Sequence, residues 1–378
     1  RTSRIFIPLN ACAYFITTIM VYLKRLWLQD FRNYSAQETV FKKGTNVIFG
    51  QNGQGKTNLL EAIYYMGSAV SFRGAPTEAL IQKGLDTAII RAEIQHEDRE
   101  LLVEAELSNQ RQNSIAINKQ KIRPIRNLVG LIPMTIFGPD DLTLIKEGPS
   151  NRRTYIDELL IRTHPKHLKQ RTDLESVLKQ RNAFLKQQKG HLSSQNQNTL
   201  TVWSEQFATL SKQWGTVRQE TLGEIQHLAQ KAYKDLVGGT EKLEIIYNPQ
   251  WLQEGLLPLL KEAEKDEVRR GTTLIGPHRD DIEIYLDGMP ARTHASQGEQ
   301  RTIALSLRVA GHHLLHKIHQ TKPLLLLDDV FSELDNDRTE RLLHLLVADQ
   351  TFITTAIQPK IIQQNMYHEV KEGKVLVS

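Results

Sequence analysis

Hydrophobic and polar positions alternate along the first third of the chain. Residues 88–94 and 101–107 both show this period of two, which predicts the two antiparallel strands of a hairpin. Residues 46–49 form an apolar run, and 58–63 follow with helical spacing. We therefore predict a β-rich N-terminal part in which one helix directly follows a buried strand.

The middle of the chain changes to helical spacing. Apolar positions in 150–188 recur every three or four residues, and Pro165 divides that segment into two helices. Residues 189–198 are polar and predict a loop. A heptad-like stripe follows, made of Leu200, Trp203, Phe207, Leu210, Trp214 and Val217. The pattern predicts a short antiparallel helical arm, about 30 Å long for some 20 residues, whose aromatic stripe packs helix against helix.

Strand spacing returns in the last third. It appears at 243–248 and 281–286, and Asp287-Gly288 is a hairpin turn signal. Residues 324–327 are continuously apolar, as in a strand buried on both faces of a parallel sheet, and 351–355 predict another strand. Two halves of one α/β head thus flank a helical lobe. We place the N-terminal half at 20–148, the lobe at 149–266 and the C-terminal half at 267–378.

Candidate chemistry begins directly after the strand at 46–49. Residues 50–57 match the phosphate-binding pattern G-x-x-x-x-G-K-[ST]. The glycines let backbone N–H groups converge on a phosphate, and the helix adds its N-terminal partial charge. We expect Lys56 to reach the β- and γ-phosphates and Thr57 to place its hydroxyl on Mg²⁺. The predicted nucleotide-binding residues are Gly50, Gln51, Asn52, Gly53, Gln54, Gly55, Lys56, Thr57 and Asn58.

Two carboxylates, Asp328 and Asp329, end the apolar run that begins at residue 324. An apolar strand that ends in this way matches a Walker B element. Asp328 is predicted to hold Mg²⁺, and Asp329 to orient or deprotonate an attacking water. Asp328, Asp329 and Lys56 are therefore the candidate catalytic residues.

The phosphate loop and these carboxylates are separated by a long insertion, which is typical of ATPase heads of the ABC and SMC type. Residues 296–301 precede an apolar-periodic helix and resemble the ABC signature motif, which contacts ATP held by a second subunit. We expect Ser296, Gly298 and Gln300 to act in this way. Residues 332–335 resemble a D-loop. Thr354 or Thr355 occupies the switch position, where many ABC proteins carry His.

Longer strings at 22–34, 137–142, 148–153, 276–281 and 327–335 resemble the RecF family of bacterial recombination mediators, which is related to SMC heads. The resemblance covers about residues 20–378 and implies an ABC/SMC-type P-loop ATPase head, a mixed sheet around the P-loop helix with an inserted helical lobe. It implies ATP and Mg²⁺ as cofactors and an ATP-dependent homodimer. It also implies binding to double-stranded DNA and single-strand/duplex junctions, with RecO and RecR as partners that help to load RecA at single-strand gaps.

Two positions depart from the ABC pattern. The Q-loop has no obvious Gln, and Asp140 or Asp141 lies in the corresponding stretch. Asp329 stands where many ABC proteins have Glu, and the shorter carboxylate predicts slow hydrolysis. Slow hydrolysis suits a switch better than a motor.

Lys and Arg number 48 against 43 Asp and Glu, a formal net charge of +5. This excess permits nucleic-acid binding but does not establish it. Two stretches are more basic than the rest: Lys119, Lys121, Arg123 and Arg126, and Arg152, Arg153, Arg162, Lys166 and Lys169. Because Arg152 and Arg153 fall within a RecF-like string, we predict that they contact DNA.

The single cysteine, Cys12, excludes an internal disulfide and fits a reducing, cytoplasmic location. Residues 5–23 are mostly apolar, but Pro8, Asn10 and several threonines interrupt them. We expect 1–19 to be an extraneous or disordered N-terminal extension outside the fold, and no association with a membrane.

Two other classes share the ATPase motifs. An ABC transporter ATPase subunit would ordinarily carry the string Leu-Ser-Gly-Gly-Gln, which is absent here. An SMC-like structural protein that bridges DNA would need a longer arm than the one predicted.

Overall fold

The computed structural model describes residues 20–122, 128, 130–357 and 365–377. The predicted N-terminal extension at 1–19 lies outside these residues, as do Arg123 and Arg126 of the first basic stretch. No helix within the described part of the chain is both long and apolar enough to cross a membrane.

Fifteen strands and eleven α-helices make up the described residues. The strands are β1 (Val21–Phe31), β2 (Tyr34–Val40), β3 (Gly44–Phe49), β4 (Thr87–His96), β5 (Arg99–Ser108), β6 (Ser114–Ile117), β7 (Gln120–Lys121), β8 (Met134–Phe137), β9 (Leu243–Ile246), β10 (Glu283–Leu286), β11 (Met289–Pro290), β12 (Leu324–Asp328), β13 (Gln350–Thr355), β14 (Met366–Lys371) and β15 (Lys374–Val377). The helices are α1 (Lys56–Ser68), α2 (Thr77–Leu80), α3 (Thr143–Lys146), α4 (Pro149–Thr163), α5 (Pro165–Gln187), α6 (Ser194–Val237), α7 (Gln250–Glu254), α8 (Leu256–Arg270), α9 (Ala291–His294), α10 (Gln297–His319) and α11 (Asn336–Leu345).

Two six-stranded sheets form the head. The first is antiparallel, in the order β2-β1-β4-β5-β6-β7. Its β4–β5 hairpin, paired from Thr87 opposite Ser108 to His96 opposite Arg99, confirms the predicted hairpin. The second sheet has the order β15-β14-β3-β13-β12-β8 and is parallel except for β15 at its edge.

The helix α1 joins the cores of the two sheets. Leu59, Leu60 and Ile63 are almost fully buried in one apolar cluster with side chains of β1, β4 and β5 and of β8, β12 and β13. A helix that is apolar on several faces can be stable only when it is covered on several faces. The packing therefore fixes the start of α1 between the sheets, where the candidate phosphate loop lies.

The lobe is built on α5 and α6. Contacts run from Gln188–Asn196 at the turn to Arg181–Ser204 further along, so the two helices are antiparallel, as predicted. The predicted loop at 189–198 is too long, because α6 already begins at Ser194. Its first polar residues belong to an exposed helical turn. The antiparallel pair is as long as α5, about 35 Å for 23 residues at 1.5 Å each, close to the predicted arm. With 44 residues, or about 66 Å, α6 continues past α5 and packs on α10.

Two of the three aromatic residues of the stripe, Phe207 and Trp214, are fully buried in the lobe core, as predicted, whereas Trp203 is half-buried. A Cβ on Gly215 would come within 2.4 Å of the Trp251 ring, so this glycine is required by packing. The predicted lobe boundary at 266 falls inside α8, which continues to Arg270. The helix ends there because Gly271 adopts the left-handed conformation of a C-terminal cap.

A buried ion pair ties α5 to α8. Arg181 Nη2 lies 2.6 Å from Glu267 Oε2, and the two side chains are 1% and 0% exposed. Arg181 also donates to Ser204 and Thr273, while Glu267 Oε1 accepts the Leu274 N–H. The pair is thus fully desolvated and depends on the presence of both partners.

We expect Glu267→Gln to lower the free energy of unfolding by about 3–5 kcal/mol, because it leaves the Arg181 charge buried without a counter-ion. Urea denaturation would measure the loss. The double variant Arg181→Met/Glu267→Gln is the control and should recover part of it, since no buried charge remains. A single variant within about 1 kcal/mol of the wild type would contradict the argument.

Candidate nucleotide site

The order of the parallel strands brings distant segments together at one sheet edge. In this sheet β13 lies between β3 and β12, with Thr355 opposite Phe49 and Thr354 opposite Asp328. The carboxyl ends of β3, β12 and β13 therefore meet, which is where ligands bind in open parallel sheets. The predicted phosphate loop, the Walker B carboxylates and the switch threonine all lie at this edge.

The phosphate loop has a backbone that only glycine fits at two positions. Gly50 has φ 149°, and a Cβ there would lie 2.3 Å from the Val370 carbonyl oxygen. Gly55 has φ 119°, and its Cβ would lie 2.6 Å from the Asn33 side chain. Gly55 also precedes the first turn of α1 without any side-chain cap. The first amides of α1 are therefore available to an anion.

Residues far from the loop in sequence hold it in place. Asn33 donates to the Gln54 carbonyl and accepts from the Asn58 side chain, each at 2.8 Å. The Tyr34 hydroxyl donates to the Gly55 carbonyl at 2.9 Å. Gln54 and Asn58 thus help to position the loop. No local motif indicates this role of Asn33 and Tyr34, although both lie in a RecF-like string.

The turn between β14 and β15 supports the loop from another direction. Its Glu372 N–H donates to Gln54 Oε1 at 2.6 Å, and its Gly373 N–H lies 3.2 Å from the Gln54 carbonyl oxygen. In contrast, Gln51, Asn52 and Gly53 are exposed at the loop tip. The loop is consequently fixed at its base and open to solvent where a phosphate would approach.

Lys56 lies inside the curve of the loop. Its Nζ donates to the carbonyl oxygens of Gly50 and Gln51, at 2.7 and 2.9 Å. Burial lowers the pKa of Lys56, while the nearby charges of Asp329 and Asp328 oppose that shift. The ammonium is therefore held at the concave side of the loop, and its third N–H has no partner within the described residues. A phosphate group is the anion that such a cradle accepts.

Asp328 accepts two hydroxyl hydrogen bonds on the same oxygen. Thr57 Oγ1 donates to its Oδ1 at 3.0 Å, and Thr354 Oγ1 donates to it at 2.7 Å. Burial raises the pKa of Asp328, and these two hydrogen bonds partly offset the shift. A hydroxyl and a carboxylate side by side are hard oxygen donors of the kind that Mg²⁺ prefers, so Thr57 and Asp328 fit that ion.

Asp329 follows in the left-handed conformation, with φ 51°. Its N–H donates to Thr354 Oγ1 at 2.9 Å, so one threonine hydroxyl links the backbone of Asp329 to the carboxylate of Asp328. Asp and Asn tolerate this conformation better than longer side chains. This preference gives a physical reason for Asp where ABC proteins commonly have Glu.

The start of α10 carries the signature-like residues. Ser296 Oγ accepts the Glu299 N–H at 3.3 Å, while Glu299 Oε2 accepts the Ser296 N–H at 2.6 Å, which is a capping box. Ser296 is exposed and Gly298 half-buried. Their role toward nucleotide on a second subunit stays a prediction.

Gln300 has a different environment from Ser296. It is buried, and its Nε2 lies 3.0–3.3 Å from the carbonyl oxygens of Ala291, Arg292 and Ala295, in and just after α9. The side chain therefore holds the segment that precedes α10. A contact between Gln300 and nucleotide on a second subunit stays a prediction.

In the stretch that corresponds to the Q-loop, one of the two acidic residues is also bound by other residues of the same chain. Asp141 is buried and accepts from the Gly138 N–H at 3.0 Å and from Arg308 Nε at 2.8 Å. Asp140 beside it is exposed. Asp140 is thus the better placed of the two acidic residues for an external contact.

Arg152 and Arg153, the predicted DNA contacts, bind two different parts of one loop. Arg152 is buried, and its Nη2 contacts Asp281 Oδ1 at 2.9 Å and Oδ2 at 3.1 Å. Arg153 is half-buried and donates to the Asp280 carbonyl at 2.5 Å. The pair therefore joins two RecF-like strings, a role that the basic cluster in the sequence does not indicate. Contact with DNA stays a prediction, and the bidentate ion pair leaves Arg153 as the better candidate.

Comparisons with known proteins agree with this geometry. The model of the RecF/RecN/SMC N terminal domain matches residues 22–374. The DNA replication and repair protein RecF of Streptomyces avermitilis is 37% identical over 373 residues, which cover 94% of this chain and 99% of that protein. The RecF of Acidothermus cellulolyticus is 35% identical over 371 residues and is covered completely.

Solved structures show the same relationship. A recombination mediator protein RecF with ATP, from the RecFOR pathway, has a TM-score of 0.88 and 30% identity over 95% of this chain and 98% of that one. An Smc head domain from Pyrococcus furiosus shares the fold at a TM-score of 0.55 and 18% identity. In sequence and in fold, this chain belongs to the RecF family of DNA replication and repair proteins.

Proposed function

We propose that this chain is an ATP-dependent DNA-binding protein of recombinational repair and replication, which works as an ATP-gated dimeric clamp. The observation that carries the proposal is the sheet edge where the phosphate loop, Asp328 and Thr354 meet. Its RecF relatives are named as DNA replication and repair proteins, and one solved relative is described with ATP.

Each residue at the edge has a part in this function. The loop amides and Lys56 bind the phosphates of ATP, and Thr57 with Asp328 would hold Mg²⁺. The ion, when bound, neutralises negative charge on the phosphates. Asp329 orients the attacking water and accepts its proton. Thr354 links the carboxylate of Asp328 to the backbone N–H of Asp329 through its single hydroxyl.

The second half of the site comes from another copy of the chain. Ser296, exposed at the capped start of α10, would contact the γ-phosphate of ATP bound by the partner, so that ATP joins two heads. The dimer would close on double-stranded DNA or at a single-strand/duplex junction, and slow hydrolysis would reopen it. RecO and RecR are the proposed partners in loading RecA at single-strand gaps. Membership of the RecF family favours this reading over a transporter subunit or a DNA-bridging SMC protein.

The mass of the particle in solution tests the proposal. We expect wild-type protein to be dimeric with ATP and monomeric with ADP, and duplex DNA to favour the dimer. Ser296→Arg should bind ATP within about threefold of wild type but remain monomeric, because the added cation and bulk occupy the trans contact. Light scattering with a parallel nucleotide-binding measurement gives both readouts.

The control for this experiment is Ser176→Arg, which adds the same side chain at an exposed position of α5. It should dimerise with ATP as the wild type does. If Ser296→Arg lost ATP binding, Ser296 would belong to the nucleotide site of its own subunit, and the predicted contact with the partner's ATP would be wrong. If the wild-type protein binds ATP but remains monomeric under all conditions, the proposed clamp is wrong.

A further inference from the structure

A concave site that shares no residue with the nucleotide site lies in the lobe. It is a cavity of about 280 Å³ between the start of α4, the helices α5 and α6, and the loop at 277–278. Its charged and polar wall includes Ser150, Arg153 and Thr154 of α4, Arg171 of α5, Arg218 of α6, and His278. The loop belongs to one RecF-like string and the start of α4 to another.

The charges in the wall do not cancel. Three arginines and two carboxylates, Asp157 and Glu175, line the cavity. Arg218 Nη2 pairs with both Asp157 oxygens at 2.8 and 3.0 Å, and Arg171 pairs with Asp157 and Glu175. Both carboxylates are thus taken by Arg171 and Arg218, so neither forms an ion pair with Arg153. The nearby carboxylates of Asp280 and Asp281 pair with Arg218 and Arg152.

Arg153 has donors to spare. Within the described residues it makes one hydrogen bond, from Nη1 to the Asp280 carbonyl, and no ion pair. A guanidinium carries five N–H donors in a planar fork. Burial lowers the pKa of Arg153 and the neighbouring Arg218 adds to that effect, while the charges of Asp280 and Asp281 oppose it. An anion in the cavity would relieve this repulsion.

His278 adds a second unsatisfied group. Its Nε2 lies 3.1 Å from the Thr273 carbonyl oxygen, so Nε2 carries the proton and Nδ1 is an acceptor. Burial lowers the pKa of His278 to about 4, which keeps the ring neutral at pH 7. Within the described residues Nδ1 is buried and has no hydrogen-bond partner. Because this nitrogen has almost no solvent-accessible surface, a bound phosphate reaches it only if the ring moves.

We propose that this cavity is a phosphate-binding site in which Arg153 is the principal ligand. The fork of a guanidinium matches two phosphate oxygens, and a net positive wall suits a singly charged group. A DNA phosphodiester and free inorganic phosphate present the same oxygens. The DNA source rests on the proposed function, whereas the site itself does not.

The first arm measures duplex DNA binding by fluorescence anisotropy, with ATP, over a range of salt concentrations. Arg153→Gln should weaken binding about tenfold and reduce the slope of log K against log [salt] by about 0.9, the value for one phosphate contact. Arg270→Gln, which removes the same charge from an exposed position at the end of α8, is the matched control and should change the slope little.

The second arm uses inorganic phosphate as the probe, in the Lys56→Met background so that the nucleotide site does not contribute. The melting temperature in phosphate is compared with that in chloride of equal ionic strength. Phosphate also stabilises proteins without binding a site, so the expected result is a larger rise with Arg153 present than with Arg153→Gln. Thr154→Glu, at an exposed position of the wall, provides a second variant that repels the anion.

The outcomes separate the sources. A changed DNA slope supports the site and assigns it to a DNA phosphodiester. Specific protection by phosphate with an unchanged DNA slope supports the site and assigns it to free phosphate. If neither effect is seen with either variant, the proposal is overturned. Wild-type protein that binds no DNA with ATP would refute the proposed function, while the phosphate arm would still decide on the cavity.

Discussion

Lys56→Met is expected to bind ATP at least about 100-fold more weakly than the wild type and to remain monomeric with ATP. Lys56 is the ammonium that the loop carbonyls of Gly50 and Gln51 hold at its concave side. A hydrogen bond to a charged group contributes roughly 1.5–3 kcal/mol, and each 1.4 kcal/mol changes the affinity about tenfold. Because the β- and γ-phosphates both lose a donor in this variant, a loss of at least about 100-fold is expected. Methionine keeps the length of the side chain, so the change tests charge rather than packing.

Fluorescent-nucleotide titration and light scattering give the two readouts for Lys56→Met. Lys83→Met, at an exposed position beyond α2, is the matched control and should behave as the wild type. The background stability of the variant can be followed by the melting temperature without nucleotide. A variant that forms nucleotide-induced dimers as readily as the wild type would remove Lys56 from the site.

Local patterns predicted the parts of this site that depend on neighbours in sequence. The phosphate loop follows from glycine spacing next to a strand and a helix. Asp328 follows from an apolar strand that ends in carboxylates. The motif alone allows either Thr354 or Thr355 at the switch position, and the alternation of buried and exposed residues along the strand distinguishes them. Thr354 is buried and contacts Asp328, whereas Thr355, the next residue along β13, is only half-buried.

Other parts depend on partners that sequence spacing does not reveal. Asn33 and Tyr34 support the loop from a strand turn some twenty residues earlier. Arg152 pairs with Asp281, 129 residues away, so a cluster of basic residues that suggested DNA proved to hold the lobe together in part. Gln300 is a similar case. A buried amide needs carbonyl partners, and only the fold shows that those near Gln300 belong to the segment just before α10.

The length of the lobe helices was also beyond the sequence patterns. Polar residues at the start of α6 resemble a loop in composition, yet a helix exposed on one face needs no apolar residue there. The end of α8 has a local signal, the capping residue Gly271, but the sequence alone does not distinguish a glycine that caps a helix from one that does not. The helix ends are therefore hard to predict where polar residues reflect exposure to solvent and not a preference for a loop.

Asp329→Asn is expected to reduce ATP hydrolysis about 100- to 10,000-fold, the usual contribution of a general base, while ATP binding and dimer formation persist. Asparagine is nearly isosteric with aspartate and tolerates the left-handed backbone of this position equally well. The hydrogen bond from the residue 329 N–H to Thr354 Oγ1 is a backbone contact, so it survives the substitution. The loss should therefore appear in turnover and in the lifetime of the ATP dimer on DNA, which should lengthen.

Two comparisons make the expected result for Asp329→Asn specific. Asp235→Asn, at an exposed position near the end of α6, is the matched control and should hydrolyse ATP as the wild type does. Asp328→Asn alters the carboxylate that Thr57 and Thr354 both contact, so it should weaken nucleotide binding as well as turnover. Single-turnover hydrolysis and dissociation of the dimer from labelled duplex DNA measure both effects. Wild-type turnover in Asp329→Asn, or faster release from DNA, would show that this carboxylate neither accepts the proton nor times the opening of the clamp.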